Sequence, residues 1–462
     1  MRTAYDAATV RAAEEPLLAT QPEGTLMALA ASGLARVCAG LLDGVYGARV
    51  LLLVGAGNNG GDALHAGALL AGRGARVEAL LLADRVHDVG LAALRRAGGR
   101  VVDDVGAPDL VIDGVLGIGG RGGLRDGAAR VVGRLPEDAL VVAVDVPSGI
   151  DPSTGEVDSV AVRADVTVTF GALKAGLLVD PGADHAGVVE LIDIGLDLPP
   201  ATVEVLQADD VAALLPRPDR VSDKYRRGVV GVAAGSAEYT GAAVLCTGGA
   251  LHGGAGMVRY VGDDEPAALV RARWPEVVVG EGRVQAWTVG SGGGADAARR
   301  LERATADGVP LVVDADALEA LRDHRDPAVP VLLTPHAGEL ARLMGVDRAD
   351  VEARRLHHAR AAARDLDAVV LLKGSTTVVA RPDGQVRVNP TGTPALATAG
   401  SGDVLAGLCG ALLAGGLDPF DAGSVGAWLH GLAGRLAAEG GASITAGDLL
   451  GALPRAVGRL GT

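Results

Sequence analysis

The sequence predicts an α/β protein of two distinct domains, each built on a mostly parallel sheet with helices on both faces. Three observations carry that expectation. A short run of β-branched residues or leucine, a Gly-rich turn and an Ala/Leu-rich helix recur along the chain, the pattern of successive βαβ units. The recurrence breaks across residues 196–220, where LDLPPATVEVLQADDVAALLPRPDR carries four prolines and no strand–helix unit, and it restarts afterwards. A length of 462 residues suits two to four domains of roughly 100–200 residues each.

Taken in order, apolar runs predict strands at 49–54, 76–82, 110–113, 141–145, 165–170 and 187–192. Each run is short and continuous rather than alternating, as strands buried on both faces are. Helices are predicted at 61–71, 90–97 and 125–134. The expected boundary lies near 208, giving domains 1–208 and 209–462. Beyond it come VVGVAAG (229–235), VQAWTVG (284–290), VPLVVDADAL (309–318), VPVLLTPHAGEL (329–340) and DAVVLLKG (367–374), and the last third is largely helical. The glycine motifs of the two halves differ in sequence and order, so the halves are not repeats. Ligands of such folds bind at the carboxyl ends of strands.

Composition narrows the function. A formal charge of −15 disfavours a non-specific grip on nucleic acid or anionic membrane. The N-terminus MRTAYDAATVRAAEEPLL lacks an apolar signal core, and the longest apolar runs stop short of the ~18 residues of a membrane span. A soluble, cytoplasmic protein is expected. Cys38, Cys246 and Cys409 are far apart and form no CxxC or Cys/His spacing, so neither a disulfide framework nor a zinc site is implied. Aromatics are only 2%, which leaves Ala, Val, Leu and Gly to build the core. Among 42 basic residues only Lys174, Lys224 and Lys373 are lysines, and Asn58, Asn59 and Asn389 are the only asparagines. In a chain so biased toward arginine, a lysine that remains is expected where a compact ammonium is needed and a planar guanidinium does not fit, and these six residues are flagged on that ground.

Four segments of the first half carry chemistry. RVLLLVGAGNNGGDALHAGALL sets Gly55, Gly57, Gly60 and Gly61 between a strand and a helix, where free backbone N–H groups can meet an anion. Asn58, Asn59 and Asp62 add oxygens for a hard cation or a polar ligand; an Asx-turn with a helix cap would use the same residues. LVIDGVLGIGGRGGL ends a strand on Asp113 and continues in the loop Gly117–Gly123. VVAVDVPSGID closes a strand on Asp145, where partial desolvation would raise a carboxyl pKa and suit proton transfer. TFGALKAGLLVDPG contains Lys174.

In this order, and with GNNGGD followed by DVPSG, residues 1–208 resemble the NAD(P)H-hydrate epimerase domain. The resemblance implies that Asn58, Asn59, Gly60, Gly61 and Asp62 hold the dinucleotide, together with Gly117, Ile118, Gly119, Gly120, Arg121, Gly122 and Gly123. Asn59, Asp113 and Ser148 would be oxygen ligands of a potassium ion. Asp145 would contact the hydrated nicotinamide ring as catalytic acid and base.

In the second half, VGSGGG (289–294) is a loop of close backbone approach, TPHAGELARLMG puts His336 at a strand-to-helix junction where Thr334 is a candidate cap, and LLKGSTTVV follows a buried strand with Lys373 and three hydroxyl residues. NPTGTPALATAGSGDVLAGLCGALLAGG is the most informative segment. Gly400-Ser401-Gly402 precede a long apolar helix whose free N–H groups suit an anion, and Asp403 stands in its first turn.

DADAL, TPHAGEL, LKG, NPTG and AGSGDVLAG together resemble the ADP-dependent NAD(P)H-hydrate dehydratase, a ribokinase-like fold, over residues 209–462. The resemblance implies that Ala242, Gly292, His336 and Asp403 contact the hydrate, that Lys373, Gly374, Ser375, Thr376, Thr377 and Gly402 contact ADP with Mg²⁺, and that Asp403 is the catalytic base. The family often has His-Lys-Gly where Asp223-Lys224-Tyr225 stand, so those three receive no role. The fold expectation becomes a Rossmann-like sheet followed by a ribokinase-like domain, in a bifunctional enzyme acting on hydrated NADH and NADPH and forming a homo-oligomer. The alternative is a ribokinase-type small-molecule kinase fused to a dinucleotide-binding domain, against which the missing GxGxxG speaks. A third reading, an N-terminal binding module without chemistry, is disfavoured by Asn59, Asp113, Asp145 and Ser148 standing intact.

Overall fold

Every strand but one in the main sheet of the first half follows from an apolar run. The computed structural model describes residues 1–460 apart from Arg121, Pro218, Asp219 and Ser222. The chain divides into two units, Thr3–Thr202 and the residues from Val203 onward together with Met1–Arg2. The division falls ahead of residue 208 because Val203–Val205 is a strand of the second unit, paired in parallel with Val386–Asn389. The proline-rich segment is also more ordered than its sequence suggested: Ala208–Leu214 is a helix closed by a reciprocal capping box between Gln207 and Asp210.

In the first unit seven parallel strands lie in the order Arg100–Val102, Arg76–Leu81, Arg49–Val54, Leu110–Gly114, Leu140–Val144, Val166–Phe170, Val188–Ile192. Of these only Arg100–Val102, three residues long, carries no apolar run of its own. Val50, Leu52 and Val54 enter one core layer while Leu51 and Leu53 enter the other, so the strand is apolar on both faces, each leucine contributing roughly 1.5–3 kcal/mol of burial. From Arg49–Val54 the chain moves outward to one edge, then returns to the other side through Leu110–Gly114. The crevice between those two strand ends is a topological switch point. A two-residue parallel ladder, Ala4 with Leu173 and Tyr5 with Lys174, fixes the backbone of Lys174.

The second unit places ten strands in the order Val278–Val279, Met257–Tyr260, Val229–Ala233, Ala286–Val289, Leu311–Val313, Val331–Leu333, Val369–Leu372, Thr377–Ala380, Val386–Asn389, Val203–Val205. Pairing is parallel as far as Val369–Leu372, then antiparallel through the next two strands. The departure from an all-parallel sheet follows from the connections. Lys373–Thr376 and Arg381–Gln385 are too short for the crossover that parallel strands require. Here the switch point lies between Val229–Ala233 and Ala286–Val289, whose ends touch through the Gly235 N–H and the Ser291 carbonyl at 2.8 Å.

The near absence of aromatics has a structural counterpart. Helices Thr240–His252 and Ser401–Ala414 approach so closely that a Cβ on Gly407 would collide with the Cys246 carbonyl, and one on Gly249 with the Val404 carbonyl. The three cysteines are free and buried. Among the described residues no single helix is long and apolar enough to cross a membrane.

Candidate functional site

The first site assembles at the switch crevice. GNNGGD is not a loop before the helix: the helix begins at Asn58, behind Gly57 with no side-chain cap, so Asn58 to Asp62 form its opening turns. Gly60 and Gly61 are buried; a Cβ on Gly60 would strike the Gly55 carbonyl, and one on Gly61 would meet Met27 and His87. These glycines let the helix sit against its own turn. Asn59 points across the crevice, donating to the carbonyls of Leu116 at 3.2 Å and Val144 at 2.5 Å. A Cβ on Gly117 would overlap the Asn59 side chain, which ties the glycine loop to GNNGGD. That loop turns through a Gly120 N–H to Gly117 carbonyl bond at 2.8 Å. Arg121, expected in the same loop, lies outside the described residues.

Asp113 is wholly buried and bound to Ser148 twice, through the hydroxyl at 2.7 Å and the N–H at 2.8 Å. Burial raises its pKa, and the bonds from Ser148 work against that rise. The carboxylate of Asp113, the hydroxyl of Ser148, the Asn59 amide and the two carbonyls beside it form an all-oxygen donor set, which fits a hard cation rather than a thiophilic one. Among the described residues no group of three or more His, Cys, Asp or Glu side chains is placed to hold a metal.

Asp145 stands one residue beyond its strand, with a backbone φ of +66°. That left-handed conformation is uncommon outside glycine, asparagine and aspartate, and it marks a strained position at a site. Its Oδ1 accepts from Lys174 Nζ at 2.5 Å, Thr169 Oγ1 at 3.1 Å and the Phe170 N–H at 3.3 Å. Lys174 is 1% exposed and spends its remaining donors on Thr169 Oγ1 and the Phe170 carbonyl. The sequence singled out Lys174 by rarity alone and left its role open; Thr169 carried no signal.

The second site is built from the carboxyl ends of four neighbouring strands. Ser291, Asp314, Thr334 and Lys373 follow Ala286–Val289, Leu311–Val313, Val331–Leu333 and Val369–Leu372 in turn. Asp314 links them: Oδ1 accepts from Thr334 Oγ1 at 2.8 Å and Lys373 Nζ at 3.0 Å, and Oδ2 accepts from Ser291 Oγ at 2.9 Å. Lys373 Nζ also lies 3.6 Å from Glu339. Burial disfavours the ammonium, but Asp314 and Glu339 outweigh it and raise the Lys373 pKa. A Cβ on Gly402 would sit 3.4 Å from Lys373 Nζ, so the ammonium faces the opening turn of Ser401–Ala414.

Asp403 stands in that turn, behind Gly400 in the left-handed conformation. Burial, with the negative charge of Asp314 adding to it, pushes the Asp403 carboxyl up to about 7, although Lys373 and a bond from Ser291 pull it down. His430 anchors the turn from below, 2.8 Å from the Ser401 carbonyl, and burial lowers its pKa to about 4. A Cβ on Gly292 would meet Ala242 at 2.7 Å, so these two residues, 50 positions apart, share one wall.

The helix cap expected of Thr334 falls to its neighbour two residues on. The cap of helix Ala337–Met344 is His336, whose Nδ1 accepts from the Gly338 and Glu339 N–H groups, while Thr334 donates to Asp314 instead. Burial lowers the His336 pKa, as an accepting ring nitrogen requires. Within Lys373–Thr377, the Thr377 hydroxyl turns back onto the Gly374 carbonyl at 3.2 Å and closes the turn; Gly374 and Ser375 are exposed. Asp314 opens DADAL and Ser291 lies in VGSGGG, but neither receives a role from sequence, although Asp314 closes an apolar strand as Asp113 nearly does.

The fold is that of a two-unit α/β protein with polar side chains gathered at the strand-end switch point of each unit, the second unit being ribokinase-like. Comparison with known proteins agrees. The family described as NAD(P)H-hydrate dehydratase matches residues 230–455, and the YjeF-related protein N-terminus matches residues 23–176. The bifunctional NAD(P)H-hydrate repair enzyme Nnr of Mycobacterium tuberculosis is 50% identical over 440 residues, 91% of each chain. Its namesake in Mycobacterium leprae is 49% identical over 456 residues, covering 95% of this chain and 94% of that one. An ADP/ATP-dependent NAD(P)H-hydrate dehydratase from Bacillus subtilis, co-crystallised with ATP and Mg²⁺, superposes with a TM-score of 0.53 at 31% identity, covering 56% of this chain and 99% of that one. The chain belongs to the family of bifunctional NAD(P)H-hydrate repair enzymes.

Proposed function

We propose that the first unit interconverts the R and S hydrates of NADH and NADPH, and that the second dehydrates the S form at the expense of ADP. Family membership carries this reading, and the chemistry of the two sites supports it. Epimerising a hemiaminal carbon needs help from the ring nitrogen and a proton shuttle, with no redox group. Asp145, oriented by Lys174 and Thr169, is the acid–base group. Asn58 to Asp62 and the glycine loop hold the dinucleotide. Asn59, Asp113 and Ser148 would hold potassium, which supplies fixed positive charge beside the buried Asp113 carboxylate.

In the second unit Asp403 takes the proton of the hydrate hydroxyl. A carboxyl group near pKa 7 is matched to that task at neutral pH. The hydroxyl oxygen bonds to the β-phosphorus of ADP as the bond to AMP breaks. Phosphate then leaves with the electron pair of the carbon–oxygen bond, and a proton is lost from the adjacent ring carbon, restoring the double bond of the nicotinamide. Lys373 and the helix N–H groups at Gly402 stabilise the charge that gathers on the transferring phosphoryl group. Ala242, Gly292 and His336 line the hydrate side, and Mg²⁺ would accompany the nucleotide phosphates. All three cysteines being free suits a reducing, cytoplasmic setting.

The deciding measurement is recovery of near-UV NADH absorbance from purified hydrate, with ADP and ATP compared. Full recovery from a mixture of R and S is expected when both units work. Phosphorylation of a free sugar or vitamin precursor with ATP, with the hydrate ignored, would instead establish the kinase alternative.

A further inference from the structure

Helix Ala7–Thr20 belongs to none of the motifs of the first half, yet it reaches the same crevice. Asp6 caps it by accepting from the Thr9 N–H at 2.7 Å, and the Ala7 N–H donates to Ser153 Oγ at 3.0 Å. One turn on, Arg11 donates to the Ile118 carbonyl in the glycine loop. Glu14 lies three residues beyond Arg11, on the same side of the helix, and is half-buried. Burial raises its pKa and the charge of Asp145 adds to the rise, while Lys174 and Arg11 oppose it.

Asp62 completes the group. It is 6% exposed, and among the described residues no hydrogen bond or ion pair reaches its carboxyl group. Burial pushes its pKa well up, and the charges of Asp145 and Glu14 push it further. Ala7 and Val10, which share a helix face with Glu14, are buried, and the charges of three carboxyl groups from three separate elements therefore act on one another. The donors of Lys174 are already committed to Asp145, Thr169 and the Phe170 carbonyl, so among the described residues Glu14 and Asp62 have no buried cation of their own.

We propose that Glu14 is a second acid–base group of this site, acting on the same hemiaminal carbon as Asp145, with Asp62 holding a proton between them. The assignment rests on the epimerase reading. Inversion through a ring cation balances without any oxidant or reductant. One carboxyl group gives a proton to the hydroxyl, which leaves as water while the ring-nitrogen lone pair forms a carbon–nitrogen double bond. Water then adds to the opposite face, its proton passes to the second carboxylate, and the electron pair returns to nitrogen. One carboxylate serves one face of the ring. Asp145 at the end of a strand and Glu14 on a helix supply the two.

The test uses the full-length protein in ¹⁸O-labelled water with each purified hydrate epimer in turn. Two quantities are read: solvent oxygen entering the starting epimer, and conversion to the other epimer. In Glu14→Gln, conversion should fall roughly 100-fold or more, the scale of one general acid–base group. Oxygen exchange should stay close to the wild-type rate for one of the two epimers, the one whose hydroxyl faces Asp145, because its departure and same-face return need only Asp145. Glu14→Asp should recover part of the conversion. Conversion unchanged in Glu14→Gln overturns the assignment. So does a fall of exchange and conversion by one common factor with both epimers, which would mark a merely structural helix. A wild-type protein that shows neither exchange nor conversion overturns the epimerase reading itself, and the assignment with it. Retained oxygen exchange reports that the first unit is folded, and ADP-dependent dehydration of the S epimer reports the same for the other unit.

Discussion

Lys174 Nζ meets Asp145 Oδ1 at 2.5 Å in the interior of the first unit, where the lysine is 1% exposed and the aspartate backbone is held at a φ of +66°. The pair solves two problems together. It neutralises a carboxylate that has little contact with water, and it fixes which way that carboxylate faces. Lys174→Met leaves the charge buried and unpaired, a loss of about 3–5 kcal/mol. Urea unfolding followed by a probe in the first unit should show that loss, and epimerisation should disappear with it. An unchanged midpoint would mean the pair does not support the fold.

Asp145→Asn keeps the size of the side chain and tolerates the left-handed backbone, but it leaves the buried Lys174 ammonium without its counter-charge, so the first unit should lose stability on the same scale of about 3–5 kcal/mol and activity is read below its melting temperature. Epimerisation should drop at least ~100-fold, while dehydration of pure S hydrate continues at the wild-type rate. Loss of both activities would contradict the assignment of one reaction to each unit.

Asp403→Asn is expected to abolish dehydration and spare epimerisation. It should also stabilise the second unit near neutral pH. In the folded protein the Asp403 pKa, about 7, lies above the 3.8 of an ordinary aspartate. The folded protein therefore binds a proton more tightly than the unfolded chain, and stability falls as pH rises between those two values, by about 1.4 kcal/mol for each pH unit crossed. Removing the titrating group removes that loss. Thermal melts of both proteins at pH 5 and pH 8 should differ mainly at pH 8.

The rate of dehydration should fall as pH drops through about 7, where Asp403 takes up its proton. Asp314→Asn removes a negative charge that raises the Asp403 pKa, which should move that limb to lower pH. It also frees Ser291, Thr334 and Lys373 from their common acceptor, so kcat should fall as well. A limb that stays in place in Asp314→Asn would show that another group sets it.

Gly407→Ala tests the close helix approach. The added methyl must displace the Cys246 carbonyl, at a cost of about 1–3 kcal/mol. Gly451, on the exposed side of helix Ala446–Gly458, meets nothing within 4 Å, and Gly451→Ala should stabilise by up to ~1 kcal/mol. Opposite shifts in melting temperature are expected.

Replacing potassium by a larger organic cation should weaken epimerisation alone, since Asn59, Asp113 and Ser148 belong to the first unit. An equal effect on dehydration would place the ion elsewhere.

Much of this protein could be read from its residues in order. Apolar runs marked the long strands because a strand covered on both faces must be continuously apolar, and the glycine turns marked their carboxyl ends. Local pattern could not show Arg100–Val102 or Val278–Val279, which are too short to carry a period. It did not show the antiparallel turn at Lys373–Thr376 either, since pairing direction depends on where the next strand lands.

The sequence by itself determined the two-domain α/β organisation, the GNNGGD, DVPSG and GSGD turns, and the rarity that pointed to Lys174 and Lys373. Only the tertiary structure decided what those lysines do. Lys174 is locked onto Asp145 from 29 positions away, and Lys373 onto Asp314 from 59 positions away. Neither partner is visible in local sequence, because burial and charge pairing are settled by which strand ends become neighbours. The same holds for Glu14: its helix carries no motif, and only the docking of that helix, with Arg11 on the glycine loop, brings its charge within reach of Asp145.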